Sequence, residues 1–263
     1  MDGRGGAPLS EIEIPLTLTS PITRSPAGPS APRRRYLVAF SLLVAIFVLA
    51  GFTRTFFLPL ARHTFTAPWF VYVHGSLFFT WIGLLVTQTS LIASRDVARH
   101  RRLGLLAVVL IPLMVASGLT VAFWSTARDY RAGSGDAAIS FFFGELMDMV
   151  MFASFAISAL LTRHRPQWHK RLILLATLAV FGAAVGRLPI VGAASNYITL
   201  SFLVAILGYD LLSQRRPHVI TLVGGAALMV GTFTEDAIGS TPQWVAMATR
   251  LIGNFHYGAL PPN

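Results

Sequence analysis

The sequence predicts an all-α, polytopic membrane helix bundle of seven transmembrane helices with a cytoplasmic N-terminus. Three observations carry this. Of the 263 residues, 54% are hydrophobic and only 12% are charged, with a mean hydropathy of +0.63, whereas soluble domains carry roughly 25% charged residues. Apolar stretches recur from Tyr36 to Phe233, most of them near the roughly 20 residues a helix needs to cross a hydrocarbon core. Arginines cluster at every second boundary between these stretches.

Residues 1–35 are rich in Pro, Ser, Gly and Arg and contain no apolar run. They bury too little to order themselves and read as a disordered cytoplasmic tail, too long to be the leading region of a cleaved signal peptide. The membrane domain occupies 36–238. Its spans are Tyr36–Leu58, Trp69–Ala93, Leu103–Trp124, Ser140–Leu161, Leu172–Gly192, Tyr197–Leu212 and Val219–Phe233. The last two are short, and the final one can run on past Glu235 and Asp236; six spans is the alternative, with the last segment lying in the interface. Residues 239–263 form an external tail, in which Thr241–Gly253 is amphipathic and Pro242 suits the first turn of an interfacial helix.

Orientation comes from the loops. Arg33 to Arg35, then Arg95, Arg99, Arg101 and Arg102, then Arg163, Arg165, Lys170 and Arg171, then Arg215 and Arg216 all fall on one side. The other side holds Arg62, Arg128, Arg131 and Arg250. Positive charge stays cytoplasmic, and Trp69, Trp124 and Phe141 to Phe143 are expected as an aromatic belt at the outer boundary. The net charge of +10 sits at helix ends, where anionic lipid headgroups at the cytoplasmic face meet it, so nucleic acid is not the partner it implies. Lys170 is the sole Lys and lies in a loop, which excludes a buried retinal Schiff base. The chain has no Cys, which excludes disulfides, thiolate metal sites, iron–sulfur clusters and thioether-linked haem.

Shifting the chain by 69 residues aligns His100-Arg101-Arg102-Leu103 with His169-Lys170-Arg171-Leu172, and His74-Gly75 with Phe143-Gly144. A looser third copy is Arg215-Arg216-Pro217-His218. Such self-similarity suggests a repeated helical hairpin. His100, His169 and His218 at helix starts have two readings: ligands for a quinone, haem or phosphate, or simple partners of lipid headgroups.

Ionisable groups at membrane depth are costly and mark function by default. They are Arg54, His74, Glu145, Asp148 and Arg187, with Asp210 placed near the cytoplasmic interface. At about 1.5 Å per residue, the first five share a depth in the outer third of the membrane although they come from four spans. Glu145 and Asp148 lie on one helix face. The expectation is a shared polar pocket beneath the loop Ser125–Ile139, with two Arg–carboxylate pairs making burial tolerable, His74 among them, and Gln88 and Asn196 adding hydrogen bonds. Alternatives are ion pairs that only fix packing, or outward snorkelling, above all of Arg54.

His74, Glu145 and Asp148 form an acceptable metal set, although nearby arginines compete with a cation. Haem would be held through His74, or through His100 and His169. A seven-span hydrolase of the ceramidase kind is disfavoured, since span seven has no His and Ser76 near His74 is the only nucleophile cue. Gly182 and Gly186 form a G-x-x-x-G suited to close helix approach, within the bundle or in a homo-oligomer. Pro112 and Pro189 are expected to kink their helices.

At His74-Gly75-x-Leu77 with Trp81, at His100-Arg101-Arg102-Leu103-Gly104, at His169-Lys170-Arg171-Leu172 with Arg187-Leu188-Pro189, and at Tyr209-Asp210-Leu211-Leu212 with Arg215-Arg216-x-His218, the chain resembles bacterial multi-span proteins that carry domain-of-unknown-function labels. The resemblance covers Phe70 to Gly225 and implies a multi-pass protein of the bacterial inner membrane, with no reaction attached. The functional expectation is therefore a pocket that binds or translocates a small anionic molecule or a proton. The alternatives are a membrane redox protein handling haem or quinone, and a structural or assembly subunit of a larger membrane complex.

Overall fold

The computed structural model describes residues 31–189 and 194–253. The helices are α1 (Ala31–Phe52), α2 (Leu58–Ala61), α3 (Trp69–Ala93), α4 (Val97–Gly104), α5 (Leu106–Asp129), α6 (Gly135–Leu161), α7 (Pro166–Ala179), α8 (Gly182–Val185), α9 (Ser195–Gln214), α10 (Val219–Gly239) and α11 (Pro242–Gly253). A π-helical turn, Thr53–Phe57, joins α1 to α2, and a second, Tyr130–Ser134, ends α5. There is no strand among the described residues.

Six helical stretches are long and apolar enough to cross a membrane: Arg34–Ala61, Trp69–Ala93, Val97–Leu161, Pro166–Val185, Ser195–Gln214 and Val219–Gly239. The third, of 65 residues, is no single rod. Gly133 and Gly135 adopt φ of 97° and 54°, a region that glycine enters without steric cost, and the chain reverses there. Contacts then step back along the two arms, from Ser125 against Glu145, through Phe123 against Phe142, to Gly118 against Met149. α5 and α6 are thus an antiparallel hairpin, and the described residues make seven crossings. Lipid-facing surface is supplied by leucine, isoleucine and valine, such as Leu43, Ile46, Val109 and Leu212.

α6 sits centrally, packed on α5, α7, α10 and α11. α1 lies against α3 and α8, and α9 closes the bundle against α7, α8 and α10. The main core runs through Phe40, Val44, Trp81, Met114, Phe152, Leu175, Phe202 and Ile206. Trp81 Nε1 donates to Thr177 Oγ1 at 3.1 Å inside it. α1 and α8 meet so closely that a Cβ on Gly51 would collide with the Ala184 carbonyl.

At the arginine-rich end a buried network ties three helices. Arg171 and Asp210 are 1% and 0% exposed. Arg171 Nε donates to Asp210 Oδ1 at 2.9 Å, and a second guanidinium nitrogen reaches the same oxygen. Asp210 Oδ2 accepts from Thr221 Oγ1 at 2.6 Å and from the His218 N–H at 3.1 Å. Arg171 also donates to the Gln167 carbonyl and Oε1. Burial, with Arg171 close by, pushes the His218 imidazole below its ordinary pKa. It therefore stays neutral, and its Nδ1 caps α10 by accepting from Ile220 N–H at 3.1 Å.

The structure corrects several sequence expectations. Asp210 does not face the interface; it is the buried partner of Arg171, which the sequence alone places in a basic loop. Ala31–Arg35 begin α1 rather than ending a tail. The fifth crossing breaks at Val180–Phe181, ahead of Pro189, and Pro189 follows the end of α8. α5 is helical through Pro112. Trp124 and Phe142 are buried, whereas Trp69 and Phe141 are exposed, so the aromatic belt is only partly outward-facing. Neither Gly182 nor Gly186 meets a neighbouring helix. Ile190 to Gly192 and His256 lie outside the described residues.

These contacts set two stability outcomes. Asp210→Ala strands a buried guanidinium and lowers stability by about 3–5 kcal/mol, measured as a fall in Tm of the detergent-solubilised protein. Gly51→Ala lowers Tm because backbone must move, whereas Gly75→Ala, with open space beside it, raises stability by about 0.5–1 kcal/mol through helix propensity.

Candidate functional site

At the end opposite the arginine clusters, a cleft of about 320 Å³ opens between the last turn of α5, the first turns of α6 and the segment after α8. Its polar lining comprises Ser125, Thr126, Arg128, Asp129, Ser134, Glu145 and Arg187. The Ser125 and Thr126 hydroxyls each reach a Glu145 oxygen at 3.5 Å. Arg128 is committed elsewhere: it binds Asp129 at 2.8 Å and stacks 4.8 Å over the Trp124 ring.

Arg187 donates to the Ala183 carbonyl of its own turn and lies 4.8 Å over Phe52. It is within electrostatic reach of Glu145 and of His74. Among the described residues it forms no ion pair with either Glu145 or Asp148. Cleft and chain geometry therefore leave the Arg187 guanidinium and the Glu145 carboxylate facing the same space without neutralising each other directly.

The remaining expected residues fall around this pair. His74 on α3 stacks on Phe78 at 4.3 Å between ring centres, near the Ser117 backbone, and its buried Nδ1 has no partner. Asp148, one turn along α6 from Glu145, interacts with the charges of Glu145 and Glu235. Glu235 on α10 reaches over Gly144, where a Cβ would come within 2.8 Å of its carboxylate.

Arg54 stands apart. It is exposed on the π-helical turn, with no hydrogen bond or ion pair among the described residues. The two Arg–carboxylate pairs are thus not formed. His74, Glu145 and Asp148 are not gathered as metal ligands either; no such group of three or more His, Asp or Glu occurs among the described residues. Ser76 donates to the Tyr72 carbonyl of its own helix at 2.8 Å. Asn196 makes no side-chain hydrogen bond among the described residues. Gln88 is at the wrong end, fourteen residues and so about 21 Å along α3 from His74.

Sequence reasoning does not single out Ser125, Thr126, Ser134 or Glu235. The first three lie in or beside the stretch that reads as a covering loop; α5 instead extends to Asp129, and its final turns form the cleft wall. Glu235 reads as lying past the last span, whereas α10 carries it into the bundle.

A second small core stabilises the cleft from behind. Ala122, Ala127, Ile139, Phe142, Ala248 and Ile252 pack together, with Trp244 of α11 against them. Trp244 Nε1 donates to the Ile139 carbonyl at 2.9 Å. No protein-family model, curated protein or solved structure matches this chain.

Trp244→Phe removes that hydrogen bond, worth about 1 kcal/mol, while keeping most of the packing. The expected result is faster amide exchange in α11 and in residues 134–142, with the far end of the bundle unchanged.

Proposed function

We propose that the protein binds, and passes across the bilayer, a small molecule with an anionic group, using the cleft between α5, α6 and the end of α8. The observation that carries this is the Arg187–Glu145 arrangement: a guanidinium and a carboxylate on one cleft of about 320 Å³ that do not pair with each other. The volume falls within the roughly 300–1,000 Å³ of small-molecule sites. Arg187 retains free donors for a carboxylate or phosphate, which its planar fork suits. Glu145, held by Ser125 and Thr126, takes a proton or the cationic end of the same ligand. His74, neighbouring Arg187, is the second proton-handling group, as imidazole chemistry allows. In this reading the arginine-rich end is cytoplasmic, the membrane is a bacterial inner membrane, and the cleft faces outward.

Isothermal titration of the purified protein against small carboxylates and phosphates measures the first part. Arg187→Gln is expected to weaken binding about tenfold to a hundredfold, the worth of one or two charge-assisted hydrogen bonds, and Arg54→Gln to leave it unchanged. Orientation has its own measurement, because the chain is free of Cys. Ser134→Cys is expected to react with a membrane-impermeant maleimide on intact spheroplasts, and Arg99→Cys only after lysis. The opposite pattern would place the cleft inside the cell.

A further inference from the structure

The cleft that holds Arg187 and Glu145 is charged on both walls, with opposite signs. Its lining carries two cations, Arg128 and Arg187, and two carboxylates, Asp129 and Glu145. Arg128 and Asp129 bind each other at 2.8 Å. What remains is one guanidinium and one carboxylate, unpaired with each other across the same space. Asp129 also lies within electrostatic reach of Glu145. Negative potential therefore gathers on the α5–α6 wall, while Arg187 stands on the wall that follows α8. At the far end of the bundle, His100 and His169 have ring centres 6.5 Å apart, but Leu103 and Leu172 beside them are packed into the filled core.

We propose that the ligand of this cleft is a small zwitterion of amino-acid size, a carboxylate and an ammonium joined by a short carbon chain. The assignment rests on the anion-binding role of Arg187 proposed for the same cleft, and it adds the opposite charge at the other end of the ligand.

Hydrogen-bonding capacity supports both halves. A guanidinium has five N–H donors. Arg187 gives one to the Ala183 carbonyl and lies over Phe52 with its face, so donors on its edge are left to grip a carboxylate side by side. A carboxylate has about four acceptor sites. Glu145 receives the Ser125 and Thr126 hydroxyls at 3.5 Å, longer than the roughly 2.5–3.0 Å of a normal hydroxyl bond. Its acceptor sites therefore stay open to an ammonium, which brings three donors and no acceptor.

Electrostatics disfavours the other small ions. A phosphate or a dicarboxylate on Arg187 brings further negative charge toward Glu145 and Asp129, and like charges repel most where water is scarce. A simple amine on Glu145 meets Arg187 in the same way. A zwitterion satisfies both walls at once and leaves the formal charge of the cleft at zero. Its passage is also indifferent to the membrane potential, which acts on net charge. The cleft, about 320 Å³, is near the lower end of the roughly 300–1,000 Å³ of small-molecule sites. Ala137, Ala138 and Phe141 supply its apolar part, enough for a short side group and not for a long chain.

The experiment is isothermal titration of the full-length, detergent-purified protein with alanine, β-alanine and 4-aminobutyrate, which differ in the spacing of the two charges. Each is compared with its counterparts lacking one charge, namely propionate or butyrate and ethylamine or propylamine, and with inorganic phosphate. At least one of the three amino acids is expected to bind about tenfold to a hundredfold more tightly than its counterparts, the worth of one charge-assisted hydrogen-bonded contact. Glu145→Gln, nearly the same in shape, is expected to abolish that preference. A carboxylate or phosphate that binds as tightly as the amino acids overturns the zwitterion and leaves an anion site standing. An amine that binds as tightly, or no binding by any probe, overturns both. A preference for the ammonium that survives in Glu145→Gln also overturns the assignment. The comparison of counterparts is made on the parent protein, so it decides the matter even where the variant fails to fold.

Discussion

The buried Arg171–Asp210 pair is the constraint on which the arginine-rich end of the bundle depends. Two charges removed from water attract strongly but lose hydration, and the balance becomes favourable only when the remaining donors and acceptors are satisfied. Here they are: Thr221, the His218 N–H and the Gln167 carbonyl complete the set. α7, α9 and α10 are registered by that single cluster, and the His218 cap fixes where α10 begins. With these helices in register, His169, two residues before Arg171, is presented toward α4 and the remainder of the crossing descends toward the cleft.

The opposite end is built on different physics. It has hydroxyl-held Glu145, a guanidinium stacked on an aromatic ring, and a small apolar cluster sealed by α11. No direct ion pair joins Arg187 to Glu145 across the cleft. One end of the molecule therefore has its buried charges neutralised by protein, and the other keeps them available. That asymmetry, more than the number of charges, distinguishes the two ends.

The fold class was legible because lipid imposes a simple rule: every backbone polar group must be paired within the chain, so length and apolarity alone mark the spans. Glu145 and Arg187 were legible because charges at that depth are rare and costly. Pairing across helices escaped. Arg102 and Arg171 occupy equivalent places in the repeated motif, yet Arg102 is exposed and Arg171 is fully buried; the difference is Asp210, thirty-nine residues further along. Gln88 was misplaced because polarity suggests a pocket residue, while its depth along α3 puts it at the other end. The G-x-x-x-G of Gly182 and Gly186 has the spacing of a contact motif, but the close approach falls at Ala184 between them. Spacing identifies a face, and only the neighbouring helix decides whether that face is used.

The contact between Gly51 and Ala184 bears on where Arg187 stands in the cleft. Two backbones in such proximity leave no room for a side chain between them, so a Cβ at position 51 would force α8 away from α1. Arg187, just past the tip of α8, is thereby anchored to the first crossing. Glu145 stands on α6, the helix packed on α5, α7, α10 and α11, so packing holds both walls of the cleft.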